Sequence, residues 1–230
     1  MCADISTVPE KTATGGHPGQ LRISEIFLSL QGESRSVGYP TVFIRLTGCP
    51  LRCGYCDTSY AFQGGQWITL DAVLAQVAAH ETRHITVTGG EPLAQKLCLD
   101  LLTRLCDADY AVSLETSGAL DVSVVDARVV KVMDLKTPGS GEEDQNHWQN
   151  IAYLSSQDQI KFVLCDRTDY DWAKRILAQY QLLSRCEILF SPSHGQLDAK
   201  TLAAWILEDK LQIRFQLQLH KILWDNEPGR

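Results

Sequence analysis

Residues 41–56 read Thr41-Val42-Phe43-Ile44-Arg45-Leu46-Thr47-Gly48-Cys49-Pro50-Leu51-Arg52-Cys53-Gly54-Tyr55-Cys56, an apolar, β-branched run that empties into three cysteines spaced C-x3-C-x2-C. The run has the composition of a strand, and the loop behind it gathers three thiols. Thiolates this close together can hold an iron–sulfur cluster. A four-iron cluster takes four cysteines, so a loop supplying three leaves one iron open to another ligand. Two other readings compete. A structural zinc site wants a fourth Cys or His nearby, and the flanking histidines, His17 and His80, sit at no familiar finger spacing. A disulfide with one leftover thiol suits neither so crowded a loop nor a chain without a secretory signal. Cys2, Cys98, Cys106, Cys165 and Cys186 are scattered through apolar segments and read as small buried hydrophobes. A reducing cytoplasm is the compartment this cysteine usage suits.

Outward from the loop, strand-like runs at 21–27, 41–46, 84–88, 110–114, 129–133, 159–164, 187–190 and 213–219 alternate with amphipathic helices. Leu70, Val73, Leu74 and Val77 fall at i, i+3, i+4 and i+7; so do Leu97, Leu101, Leu102 and Leu105. Trp172, Ile176, Leu177 and Tyr180 form a third stripe. All three are core-facing and carry no functional assignment. Strand and helix in repeated alternation predict an α/β fold with a mostly parallel sheet. A chain of 230 residues, 44% hydrophobic, can bury its core as one domain, placed at 21–230. Residues 1–20, rich in Thr, Gly and Pro, read as a disordered tail and not a targeting peptide. No run is long enough for a membrane span. A formal charge of −7 and a pI near 5.3 argue against a nucleic-acid partner, which needs clustered Lys and Arg. The expected partner is a small molecule.

The unusual residues fall just past expected strand ends. Gly89-Gly90-Glu91-Pro92 follows 84–88, Glu115-Thr116-Ser117-Gly118 follows 110–114, and Asp134-Leu135-Lys136 follows 129–133. In barrels and open parallel sheets that rim carries the ligand sites. Two glycines let a backbone approach a ligand closely, and the carboxylate after them can accept hydrogen bonds from an ammonium. Glycine pairs also serve turns for purely conformational reasons.

The cysteine spacing with the downstream Gly-Gly-Glu-Pro turn resembles the radical S-adenosylmethionine (SAM) superfamily. That resemblance implies a partial (β/α) barrel and a [4Fe-4S] cluster on Cys49, Cys53 and Cys56, whose open iron chelates SAM. It further implies SAM contacts from Tyr55, Asp57, Gly89, Gly90, Glu91, Glu115, Ser117, Asp134 and Lys136. Phe27-Leu28-Ser29-Leu30-Gln31-Gly32-Glu33, Phe43-Ile44-Arg45-Leu46, Cys56-Asp57-Thr58 and Gln216-Leu217-Gln218-Leu219-His220-Lys221 resemble, in order, the 7-carboxy-7-deazaguanine synthase family within that superfamily. The likeness runs over about 23–220. It implies a lyase that contracts 6-carboxy-5,6,7,8-tetrahydropterin to 7-carboxy-7-deazaguanine with loss of ammonia, in queuosine and 7-deazapurine biosynthesis. Substrate contacts are then Leu30, Gln31, Gly32, Glu33, Arg45, Thr88 and His220, with Mg2+ on Thr58. An electron donor such as flavodoxin or ferredoxin and a homodimer are implied as well.

The residue types suit such a substrate. Gln31 offers donor and acceptor, and Glu33 can accept two N–H bonds from a guanidine-like edge. Arg45 lies in an apolar strand, where an unpaired charge is costly; a substrate carboxylate or an ion pair with Glu25 or Glu33 would each resolve that cost. His220 could equally be a strand-end histidine satisfied by backbone. Thr58 offers one neutral oxygen, so substrate oxygens and water would have to complete a magnesium shell. The family's commoner glycine is Ser34 here and its commoner asparagine is Ser117, and ten residues follow His220. The polar stretch 139–150 reads as a solvated loop or a dimer contact. A glycyl-radical activating enzyme shares the cysteine loop but leaves the 30–33 and 218–220 motifs without a purpose. A noncatalytic iron–sulfur or zinc scaffold needs no Gly89-Gly90-Glu91 rim.

Overall fold

The computed structural model of the protein describes residues 17–225, 227 and 229. In chain order it comprises β1 (Gln20–Leu30), β2 (Pro40–Leu46), β3 (Gln66–Thr69), α1 (Leu70–Ala78), β4 (His84–Gly89), α2 (Cys98–Asp107) and β5 (Ala111–Thr116). There follow β6 (Val130–Asp134), β7 (Gln159–Leu164), α3 (Arg167–Gln179), β8 (Glu187–Pro192), α4 (Ala199–Glu208), β9 (Arg214–Phe215) and α5 (Leu219–Trp224). The strands form one sheet in the order β3-β1-β2-β4-β5-β6-β7-β8-β9. β1 is antiparallel to both neighbours, and every pair from β2 to β9 is parallel. Edge strands remain at both ends, so the barrel is partial.

Period-two alternation sorts the faces. On β2, Val42, Ile44 and Leu46 are buried in one apolar cluster with Ile85 and Val87 of β4 and Val112 and Leu114 of β5. The α1 and α2 stripes join the same cluster through Val73, Val77, Leu101, Leu102 and Leu105. Burying side chains of this kind contributes roughly 1.5–3 kcal/mol each. A second cluster packs α3 and α4 on β7 and β8 through Phe162, Phe190, Ile176 and Leu202. Side-chain caps start three of the helices: Thr69 accepts from Ala72 N, Asp166 from Asp169 N and Asp198 from Thr201 N. The opposite face, which carries Arg45, Thr88, Glu115, Asp134 and Lys161, lines the concave side.

The expected strands are all present, with ends moved by up to three residues at 21–27 and 187–190. The exceptions are β3, which sequence reading missed, and the last strand. The run 213–219 pairs only at Arg214–Phe215; Gln216 N still donates to Phe190 O at 2.9 Å, while its side chain bonds Ser34 through both polar atoms. Of the expected tail, residues 1–16 lie outside the described residues; His17 lies 4.9 Å from the Trp67 ring, and Gln20 opens β1. The stretch 139–150 is partly exposed but anchored at several points. Asp169 accepts from Gly139 N at 2.8 Å, Asn146 exchanges two hydrogen bonds with the Lys136 backbone, and Asn150 donates to Gly118 and Leu120 carbonyls.

Candidate active site

The cysteine loop is seated by backbone on two sides. Behind it, Gly90 N donates to Leu46 O at 3.2 Å and Glu91 N to Gly48 O at 2.8 Å. A Cβ on Gly90 would lie 2.3 Å from Gly48 O and 2.7 Å from Cys49 Cβ; one on Gly89 would lie 2.4 Å from Leu46 O. The glycine pair is therefore required where the rim backs onto the loop, whatever else approaches it. In front, Gly54 N donates to Ser140 O at 2.9 Å and Arg52 N to Glu142 Oε1 at 2.5 Å. The buried Asp169 carboxylate holds that supporting segment, accepting from Thr137 Oγ1, Gly139 N and Cys165 N.

Between the loop and the concave sheet lies a cavity of about 440 Å3, lined by all three cysteines and by every expected site residue except Glu91. Glu91 is fully buried and turned away from it. Its carboxylate accepts from Leu93 N, Thr116 Oγ1, Ser117 N and Ser117 Oγ. The expectation of a direct contact from Glu91 thus gives way to a brace that fixes the Thr116-Ser117 rim. Glu115 is also placed differently from expectation: it accepts from Gln31 Nε2 and Thr88 Oγ1, two of the residues expected to contact substrate. Arg45 meets the ion-pair alternative, with Nε 2.6 Å from Glu25 Oε1, while Tyr60 donates to the same oxygen. That bond uses Nε alone. The rest of the guanidinium lies 6.0 Å from the Phe27 ring, itself stacked on Phe43.

Because β1 runs against the others, the loop after it crosses the N-terminal ends of the parallel strands. Arg35 N donates to Gln159 Oε1 at the start of β7, and the Arg35 side chain pairs with Glu187 at the start of β8. From there Gln31 and Glu33 rise into the cavity. Glu33 meets Lys161 Nζ at 2.5 Å, and Lys161 also faces Asp134 at 3.6 Å. Asp134 pairs with Lys136 at 3.1 Å. Burial works against the Glu33 carboxylate, but Lys161 outweighs it and holds the carboxyl below its ordinary range. Burial also works against the Lys161 ammonium, which Glu33, Asp134 and Glu115 together hold well above the usual lysine value. At Glu115 burial prevails and pushes the carboxyl up, although Lys161 pulls it down.

The open side of the partial barrel is crossed by residues 216–221. Gln216 bonds Ser34, Leu219 N donates to Gly32 O at 3.0 Å, and Lys221 pairs with Asp57 of the cysteine loop at 3.1 Å. His220, on α5 and not at a strand end, packs so closely on Gly32 that a Cβ there would lie 2.3 Å from Nδ1. Gly32 is thus needed for His220.

Residues 43–134 match the radical SAM superfamily model. A 7-carboxy-7-deazaguanine synthase of Chlorobaculum tepidum is 44% identical over 89% of this chain and 94% of its own length. One from Koribacter versatilis is 40% identical over 90% and 98%. The chain belongs to the 7-carboxy-7-deazaguanine synthase family. QueE from Escherichia coli shares the fold, with a TM-score of 0.72 at 23% identity over 87% of this chain and 95% of that one.

In this member of the 7-carboxy-7-deazaguanine synthase family the residues fit the family's cofactors. Three free, half-buried thiols face one cavity. Among the described residues the Tyr55 hydroxyl and Asp134 Oδ1, buried beside them, have no hydrogen-bond partner, as polar groups that take a ligand would. Burial pushes the Cys53 thiol up while Lys136 pulls it down. The family match does not favour the mononuclear zinc alternative. Sequence reading missed Lys161, Lys221 and the lining residues Ser193, His194 and Gln196. Lys161 could have been found: like Arg45, it is a charge inside an apolar strand, Gln159-Ile160-Lys161-Phe162-Val163-Leu164. Lys221 offered no such signal.

Proposed function

We propose that this chain converts 6-carboxy-5,6,7,8-tetrahydropterin to 7-carboxy-7-deazaguanine with loss of ammonia. The observation that carries the reading is the joint lining of one cavity by the three cysteines and the Gln31-Gly32-Glu33 and His220 motifs, which enter from opposite ends. Neither rival function accounts for both. Cys49, Cys53 and Cys56 would hold the cluster, which with SAM would supply the radical chemistry that the ring contraction needs.

The chain's residues bind, orient and exclude water. Glu33 accepts from the aminopyrimidinone edge of the pterin, and Gln31 holds Glu33 in place by accepting its N–H at 3.1 Å. Arg45 takes the substrate carboxylate with its terminal nitrogens while Nε keeps Glu25. Leu30, Gly32, Thr88, Glu115 and His220 complete the substrate wall. Tyr55, Asp57, Gly89, Gly90, Ser117, Asp134 and Lys136 face SAM, and Glu91 serves it through the rim. Phe27, Phe43, Val132 and Val163 present apolar surface that keeps solvent from the reacting atoms.

Thr58 lines the cavity beside Cys56 Sγ, and its hydroxyl caps no helix. We assign it to Mg2+ held jointly with substrate oxygens and water; a Thr58→Ala enzyme with unchanged magnesium dependence would rule this out. An external electron donor such as flavodoxin or ferredoxin, a homodimer, a cytoplasmic location and a single domain over 21–230 belong to the same reading. In support, one sheet spans Gln20–Phe215 in sequence, and no helix among the described residues is long and apolar enough to cross a membrane.

The test is an anaerobic assay of the reconstituted protein with SAM, reductant, Mg2+ and 6-carboxytetrahydropterin, read by mass spectrometry. Product that disappears in Cys53→Ala is the expected result. 5′-Deoxyadenosine without that product would leave a radical SAM enzyme with a different substrate.

A further inference from the structure

Lys161 projects from the middle of β7 to a point where two shells meet. The β6–β7 register places it opposite Asp134, and Leu135 N donates to its carbonyl at 2.9 Å, so its backbone is locked beside the cofactor-facing rim. Its ammonium nevertheless takes its shortest partner, Glu33, from the loop that enters at the far end of the strands. The side chain is only 12% exposed, and a charge so enclosed persists only when it is paired. Each carboxylate gives Lys161 one oxygen and keeps the other in reserve. Asp134 Oδ2 faces Lys161 and Lys136, while Oδ1 is buried with no hydrogen-bond partner among the described residues. Among the described residues Glu33 Oε2 is bonded to Lys161 and Oε1 to nothing.

We propose, resting on the function above, that Lys161 is a positioning residue that clamps a substrate-side and a cofactor-side carboxylate into one rigid unit. Glu33 Oε1 is thereby aimed at the pterin and Asp134 Oδ1 at SAM, and the two bound molecules are held in register. Loss of the clamp lets SAM be cleaved without the substrate hydrogen in line, so the readout is coupling. A second readout follows from the groups that face Glu33: Lys161 on β7, Glu115 on β5, Asp57 in the cysteine loop, and His220 on α5 with Lys221 beside it. Without Lys161 the buried carboxyl keeps its proton to higher pH, and it regains its acceptor role only as pH rises.

The experiment compares reconstituted wild type, Lys161→Met and Lys161→Arg for iron content, kcat, KM for the tetrahydropterin, and the ratio of 5′-deoxyadenosine to product between about pH 6 and pH 9. Lys161→Met is expected to keep its iron, to raise KM about tenfold with partial recovery at high pH, and to raise the ratio roughly threefold or more. Lys161→Arg should recover most of the loss. Should Lys161→Met fail to fold, the double variant Glu33→Gln with Lys161→Met removes the stranded charge and carries the same expected ratio. A wild-type ratio and KM in Lys161→Met, or a wild-type ratio in the double variant, overturns the proposal. So does a fall in kcat that only tracks lost iron. A wild type that yields no product overturns the functional reading itself, and this proposal with it.

Discussion

At the C-terminal ends of β2 and β4 the backbone itself shapes the site: Gly89 and Gly90 lie against Leu46, Gly48 and Cys49 with no room for a methyl group. At the N-terminal ends, where the 31–39 loop crosses to β7 and β8, side chains make the joins: Arg35 to Glu187, Gln216 to Ser34, Glu33 to Lys161. A backbone obstacle cannot rotate aside, whereas a side chain can. The cysteine end should therefore fail abruptly when its packing changes, and the far end should yield by degrees.

Gly90→Ala is the sharpest way to break that contrast. Its methyl group would meet backbone at 2.3 Å, so we expect a loss of about 3 kcal/mol together with most of the bound iron, read by thermal melting and an iron and sulfide assay. A variant that loads a full cluster would show that the loop is not seated by this contact. Next in size, Asp169→Ala removes the acceptor of three bonds under the cysteine loop and should cost about 2 kcal/mol in urea unfolding. Unchanged unfolding would mean that water replaces the carboxylate there.

At the other end, Gly32→Ala meets His220 Nδ1 at 2.3 Å, an imidazole that can swing away. The expected cost is about 1 kcal/mol, with full iron and a KM raised by displacement of His220. Iron loss as large as in Gly90→Ala would erase the distinction between the two ends. The smallest effect is expected from Arg35→Ala. The pair is half exposed, and Glu187 keeps Arg214 at 2.7 Å, so urea unfolding should shift by less than about 1 kcal/mol.

Much of this was legible beforehand. Strands and helix stripes could be read because apolar periodicity is a property of neighbouring residues, and the rim residues because strand ends mark the ligand side of a parallel sheet. β3 was not legible: Gln66-Trp67-Ile68-Thr69 is too short to show a period and exists because β1 offers it an edge. Nor was the purpose of 139–150, a polar stretch anchored by Gly139 to Asp169 and by Asn150 to the Gly118 and Leu120 carbonyls, partners far from it in sequence. Gly89-Gly90 was found for one reason and is explained by another, since close approach to a ligand and close approach to the cysteine loop make the same demand for a missing Cβ.

By itself the sequence determined the three-thiol loop, the alternation that sends apolar side chains to the helices and polar ones to the cavity, and the residues at each strand end. Those features are local, written in spacing along the chain. Only the tertiary structure decided that Glu91 turns inward to Ser117, that Arg45 holds Glu25, and that Glu33 meets Lys161 across 128 positions of sequence. Such pairings depend on how far the sheet curls and in which register its strands lie. Those are set by the sum of many packing contacts, and no single stretch of residues encodes them.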